Sequence, residues 1–376
     1  MASPLTDIPD HILAEIFLRL PDPADLARAS AACVPFRRLA TQASFLRAFR
    51  RLHAPLHLGI LHINGFHPAL PPHPSAPAAR AFALEADFSF SFLPASHRRW
   101  MKLDIRDGRV LLSRATEVMV MRTQSSRSSR FATPCAAGSS CFPRVICLVR
   151  GKTKLAAFVF SSSIGQWQAA ASKGWSDLGL DTGDSAKMSQ VHSLILRRHY
   201  AYGCFYWDWL VVKRNLLLVL DTKSMEFSIT DLPPGEWSTK GLAIVEAGEG
   251  GLGMFGLHGE NEFASDLSYT ILRNRCESPS QWLMEKTISL DPGYRYYIKS
   301  VTERCLLLMR TESPLGSPLE KPLLEFFSMD IKTLKVQRLC LKQCKLMLSE
   351  ISIYAYFFQT GIYSNFPSSF LPPQIV

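Results

Sequence analysis

The sequence predicts an α+β, multidomain chain: a small N-terminal domain of three or four helices, then a mainly antiparallel β domain, propeller-like, with about five or six blades. Three observations predict it. Residues 8–52 carry apolar side chains at helical spacing between prolines. From about Phe82 onward, short apolar runs such as "GRVLLSR", "TEVMVMR", "NLLLVLD" and "CLLLMR" recur between Gly, Pro, Ser, Asp and Asn, the cadence of strands and turns. Finally, "FVFSSSIGQW" (Phe158–Trp167), "LVLDTKSMEF" (Leu218–Phe227) and "FSMDIKTLKV" (Phe327–Val336) share a strand–polar turn–strand grammar, with Asp221 and Asp330 at one turn position and Lys223 and Lys332 two residues on. Their starts lie roughly 60 and 110 residues apart, about one and two blades of ~40–50 residues each.

The helices follow in order. Pro9 suits the first turn of a helix, with its fixed φ and missing N–H. Ile12, Leu13, Ile16, Phe17 and Leu20 then cover nearly half of the helical wheel, with His11, Glu15 and Arg19 opposite. Leu18 falls outside the arc and is expected to be exposed unless something covers it. Pro21 ends this helix, Asp22 caps the next, Pro23 takes its first position and Asp25 meets the helix dipole in the first turn. Leu26, Ala29, Ala32 and Cys33 give that helix a narrow face of small residues. Pro35 starts a third helix with Phe36 and Leu39, and a last one carries Phe45, Leu46, Phe49 and Leu52. Helices this short are marginal alone, and the first arc is wider than two small neighbours can cover. Each large apolar side chain left in water forgoes roughly 1.5–3 kcal/mol. The remainder is expected to be covered by the β domain or by another protein.

The expected boundaries are 4–52 for the helical domain, 53–80 for a Pro/His-rich linker, 81–345 for the β domain and 346–376 for a C-terminal strand or tail. The linker holds His53, His57, His62, His67 and His73, read as solvated or groove-lining because prolines break any single face and no carboxylate or Cys joins them. The Ser/Arg-rich stretch Arg122–Ser140 reads as an exposed, mobile loop; its Arg122–Ser125 kinase-like spacing is of a kind that chance often supplies.

Composition narrows the function. Of 376 residues, 47% are hydrophobic and 20% charged, as in a globular protein. No apolar run approaches the roughly 18 residues of a membrane span, and "MASPLTDIPDHIL" lacks a secretory signal, so the expected location is cytoplasm and/or nucleus, with no membrane partner. A net charge of +10 favours acidic partners, but Lys and Arg are dispersed and no nucleic-acid-binding signature is present, so nucleic acid is not an expected partner. The nine cysteines form no CxxC pair, and Cys340 and Cys344, four apart, have no answering pair; reduced, mostly buried thiols are expected, with no metal. "GLGMFG" (Gly251, Gly253, Gly256) matches a dinucleotide fingerprint but is followed by a turn and strand, not the helix that site needs. "GKT" at Gly151–Thr153 lacks the first Gly of a phosphate loop, since Ile146 stands there. No hydrolase motif is present, so no catalytic residue and no cofactor are expected. "HYAYGCFYWDW" (His199–Trp209) offers either pocket aromatics or a buried strand pair, of which the strand pair is expected.

The opening stretch resembles an F-box. Ile8-Pro9, Ile12-Leu13, Ile16-Phe17, Leu20-Pro21, Asp25-Leu26, Ala32-Cys33, Phe36-Arg37 and Leu39 stand in that family's order and spacing over about 40 residues. Ile8 replaces a Leu, His11 an acidic residue, Val34-Pro35 a basic pair and Phe36 a Trp; the lost acid and bases weaken polar contacts at the rim, while Phe36 keeps a ring. The rest of the chain resembles the F-box-associated β domains of plant, especially grass, F-box proteins. The resemblance implies a non-catalytic substrate receptor of an SCF-type (cullin-RING) ubiquitin ligase. Its F-box would dock a Skp-family adaptor, and through it a cullin, by Pro9, Ile12, Leu13, Ile16, Phe17, Leu20, Pro21, Leu26, Phe36 and Leu39, and its β domain would hold an unidentified protein substrate. Two alternatives stand beside it: a β-propeller interaction module acting outside a ligase on an acidic partner, and an enzyme with an unrecognised site in the β domain.

Overall fold

The computed structural model describes residues 8–21, 23–53, 56–62, 65–90, 100–106, 108–114, 129–132, 145–150, 154–161, 166–179, 198–209, 216–235, 237–248, 250–258, 266–275, 278–312, 323–343 and 360–365. Four helices come first: α1 (Asp10–Leu18), α2 (Pro23–Ala32), α3 (Val34–Ala40) and α4 (Ala43–Leu52). Proline punctuates them as its chemistry requires. Pro9 precedes α1 in extended backbone, its carbonyl accepting from the Ile12 and Leu13 N–H groups at 3.0 and 3.1 Å. Pro23 opens α2, and Pro35 sits in the first turn of α3. Asp22, expected as a cap, lies outside the described residues.

The four helices share a core of their own: Leu13, Phe17, Leu26, Leu39, Ala40, Phe45, Leu46 and Phe49. Phe17 is its hub, edge-on to Phe36 at 5.2 Å and to Phe45 at 6.4 Å, the arrangement that ring quadrupoles favour. The end of α4 is fastened to the end of α1. The His53 ring stacks on Phe49 at 4.0 Å, and its Nε2 lies 2.8 Å from the Leu18 carbonyl oxygen. Leu18 is covered in this way: it is half-buried against the core because α4 returns across it.

The segment read as a linker is largely regular structure. Residues 53–80 hold β1 (Leu56–His62), β2 (Gly65–Pro68) and the start of helix α5 (Ala76–Glu85). Leu56, Leu58 and Ile60 alternate as a strand requires; Pro55 precedes β1 in the sequence, and the other prolines fall at the end of β2 and beyond it. Eighteen further strands follow: β3 (Trp100–Arg106), β4 (Arg109–Arg114), β5 (Ser129–Ala132), β6 (Val145–Arg150), β7 (Lys154–Ser161), β8 (Gln166–Gly174), β9 (Arg198–Ala201), β10 (Cys204–Trp209), β11 (Leu216–Asp221), β12 (Glu226–Asp231), β13 (Trp237–Glu246), β14 (Leu252–His258), β15 (Asp266–Arg275), β16 (Ser278–Ser289), β17 (Tyr294–Val301), β18 (Cys305–Glu312), β19 (Leu323–Asp330) and β20 (Val336–Gln343). A last described strand, β21 (Gly361–Asn365), closes the series.

Among the described residues all strand pairings are antiparallel, and consecutive strands form meanders: β9–β12, β13–β16 and β17–β20 are four-stranded, β3–β5 and β6–β8 three-stranded. The remaining sheet, β2-β1-β21, joins early chain to late chain, with His57 opposite Ser364 and Ile60 opposite Ile362. Four sheets succeed one another as a propeller-like run in which β9, β13, β17 and β21 lie side by side. A three-stranded sheet stands at each end, with β3 against β21 and β8 against β12. This run of four differs from the five or six blades expected. "TEVMVMR", one of the runs counted toward them, lies outside the described residues. The Arg122–Ser140 stretch contributes one short strand, β5, paired with β4, and is otherwise outside them too.

The repeat grammar has a physical basis. Asp221 Oδ1 accepts the Lys223 and Ser224 N–H groups at 2.7 and 3.4 Å, and Asp330 Oδ1 those of Lys332 and Thr333 at 3.0 and 2.8 Å. Four residues after each Asp, Met225 and Leu334 both take φ +57°. Each Asp therefore replaces missing strand hydrogen bonds in a tight turn, at β11–β12 and again at β19–β20.

Candidate functional site

The helical domain carries the exposed apolar surface that most needs explanation. α1 is apolar along two adjacent stripes. Leu13 and Phe17 are each 4% exposed and fill the helical core, whereas Ile12 and Ile16, one residue earlier on each turn, are 43% and 46% exposed. Ile12 and Ile16, at i and i+4, share one line along the helix, and the half-buried Leu20 follows just past its end. α3 packs beside α1 through Phe36, and at its start Val34 is 78% exposed, with Pro35 exposed next to it. Around this surface stand exposed polar groups: His11 and Glu15 on α1, Arg19 just after it, and Arg37 and Arg38 on α3.

The structure divides the ten residues expected to contact an adaptor. Pro9, Ile12, Ile16 and Pro21 are exposed, and Leu20 and Phe36 are half-buried. Leu13, Phe17, Leu26 and Leu39 are buried within the domain's own core. The cause is α1's width: its apolar arc serves two surfaces, and only α2–α4 decide which half is inside. Val34 was missed. Its signal was weak, a β-branched residue at the first position of a helix, where no core position calls for it.

Elsewhere, several of the described residues singled out by the sequence pack within the fold. "HYAYGCFYWDW" is the β9–β10 hairpin; Phe205, Tyr206 and Trp207 are buried, and only Tyr200 and Tyr202 of its aromatic rings are described as exposed. "GLGMFG" runs into β14, where a Cβ on Gly256 would stand 2.5 Å from the Trp237 ring and one on Gly253 2.9 Å from a Val245 methyl. Those glycines admit neighbouring side chains, not a pyrophosphate. Gly151–Thr153 lies outside the described residues. Cys305 and Cys340 are buried, and burial pushes both thiols up to about 12. Among the described residues no cluster of three or more His, Cys, Asp and Glu could hold a metal ion, and no helix is long and apolar enough to cross a membrane.

The histidines differ most from expectation. His62 and His73 are buried, and His57 and His67 half-buried, in and beside the β2-β1-β21 sheet. Burial, then the neighbouring His73 and Arg304, hold His57 down to about 4 against the opposing pull of Asp330; burial and then Lys342 hold His67 down to about 4; burial lowers His73.

A family model described as F-box-like matches residues 5–51. No curated protein matches the chain. Among solved structures, a protein from Lactobacillus plantarum determined by a structural genomics consortium is 11% identical, over 63% of this chain and 66% of that one, with a TM-score of 0.26. The WD40 domain of SCAP from fission yeast is 11% identical, over 66% of this chain and 64% of that one, with a TM-score of 0.24. The chain spans just under two thirds of the length of each, and likenesses at those TM-scores carry no argument.

Proposed function

With an F-box-like domain at residues 5–51 as premise, we propose that the protein is a non-catalytic substrate receptor of an SCF-type ubiquitin ligase. The helical domain docks a Skp-family adaptor, and through it a cullin, while the β domain holds a target protein. The observation that carries this reading is the half-exposed stripe of Ile12 and Ile16 on α1, beside an otherwise closed core. A partner helix laid along Ile12, Ile16 and Leu20 and over Val34 removes that surface from water. Completing the burial of each isoleucine is worth about 1 kcal/mol. Pro9, Pro21 and Phe36 border the same contact. The receptor's contribution to ubiquitin transfer is effective concentration and orientation.

The test follows from the two stripes. Ile12→Asp with Ile16→Asp, in the full chain, is expected to leave the helical circular dichroism signal intact and to lower affinity for a purified Skp-family adaptor at least about a hundredfold by titration calorimetry. Undiminished binding by the folded double variant sinks the proposal. The same result, with an acidic protein retained on the β domain, would favour an interaction module working outside any ligase.

A further inference from the structure

The histidines of residues 57–73 share a feature that adaptor docking does not use: the early part of the β domain is hydrogen-bonded to its late strands through imidazoles. His57 Nδ1 lies 2.9 Å from Ser364 Oγ on β21. His62 Nδ1 lies 3.1 Å from Lys342 Nζ on β20. His73 Nε2 lies 3.3 Å from Ser328 Oγ on β19. His67 sits among them, its ring 6.5 Å from that of His62 and its buried Nε2 without a hydrogen-bond partner among the described residues.

Two bonds, one of these and one within the chain's own turn before α5, fix the charge of their rings by geometry. A lysine ammonium only donates, so its contact requires a lone pair on His62 Nδ1. His73 Nδ1 accepts the Ser75 N–H at 3.2 Å, immediately before α5, so it too carries a lone pair. Its Nε2–H is then the donor to Ser328 Oγ, whose hydroxyl passes on to the Gln337 carbonyl at 3.4 Å. A proton on His62 would set two cations 3.1 Å apart, and one on His73 would delete the bond that shapes the entry to α5. The charged groups facing the cluster are mainly positive: Lys342 from β20 toward His62 and His67, and Arg304 from the β17–β18 turn toward His57, with Asp330 at the end of β19 acting the other way.

We propose that the β2-β1-β21 sheet is an acid-releasable latch: it joins early and late chain while His57, His62, His67 and His73 are neutral, and loosens when they take up protons. The lowered basicity of three of these rings has the same sense. A histidine depressed in the closed state makes its full contribution above the ordinary value of 6.5 and loses it as the pH falls from 6.5 toward 4. For each ring held near 4 and released on opening, the opening equilibrium rises roughly twentyfold between pH 7 and pH 5.

Hydrogen exchange of the full chain, read by mass spectrometry and corrected for the intrinsic pH dependence of exchange, tests this. Protection of β1 and β21 is expected to fall at least about tenfold more between pH 7 and pH 5 than that of β11 and β14. His57→Gln with His73→Gln is expected to shrink that difference. A parallel loss in all four strands, or the same difference in the variant, overturns the latch. Should the variant not fold, the wild-type imidazole resonances decide: titration of His57 and His67 near 6.5 overturns it, and titration well below 6.5 supports it. Neither readout involves the adaptor.

Discussion

Single residues on α1 separate stability from recognition. Phe17 touches the rings of both Phe36 and Phe45 inside the helical core, so Phe17→Ala is expected to cost about 3–5 kcal/mol of that domain's stability. Ile16→Ala, one position away and 46% exposed, is expected to cost less than about 1 kcal/mol. Urea unfolding followed by far-ultraviolet circular dichroism measures both. The sequence made α1's full arc legible, through Ile12, Leu13, Ile16, Phe17 and Leu20 at helical spacing. It did not reveal which half faces inward, because adjacent positions differ by only 100° and the deciding neighbours, Leu26, Leu39 and Phe49, lie elsewhere in the chain. Nor did it reveal the histidines' burial. Their partners are 307, 280 and 255 residues away, beyond the reach of any local pattern.

At the level of elements, the hairpins repeat a device that residue spacing exposed. Asp330 Oδ1 accepts from the Lys332 and Thr333 N–H groups and, at 2.9 Å, from the Thr333 hydroxyl. Burial opposes ionisation there, but the bonds from Thr333 and Lys332, with the nearby Arg304, outweigh it and hold the carboxyl below its usual value. Asp330→Ala is expected to cost about 1–2 kcal/mol at pH 7. A depressed carboxylate contributes above its unfolded value of 3.8 and loses that contribution as the pH falls through its native value. The gap between wild type and Asp330→Ala should therefore close below pH 3.8, a convergence that denaturation curves at several pH values would reveal. The matching Asp-x-Lys spacing at Asp221 and Asp330 was legible because both turns satisfy backbone donors with the same side chain. β1 was legible in principle, since Leu56, Leu58 and Ile60 alternate, but the surrounding Pro and His signalled a linker more strongly.

For the molecule as a whole, the helical core and the β cores share no residue among those described, so two unfolding transitions are expected. All seven tryptophans lie at Trp100 or beyond, which makes fluorescence a reporter of the β domain alone. Tyr363 is fully buried on β21, near Phe66, Phe82 and Phe88, and its hydroxyl donates to the Gly108 carbonyl at 2.8 Å. Tyr363→Ala is expected to lower the fluorescence-detected transition by about 3–5 kcal/mol, and Tyr363→Phe by about 1 kcal/mol, leaving the helical transition in place. A shift of both transitions together would mean that the domains unfold as one. The pairing of β1 with β21 also has a consequence in time. His57 emerges from the ribosome 307 residues ahead of Ser364. At roughly 5–20 residues per second, β1 waits about 15–60 seconds for its partner strand. Through that interval the nascent chain carries a bare strand edge, and whatever shields it during translation governs how much protein reaches the native state.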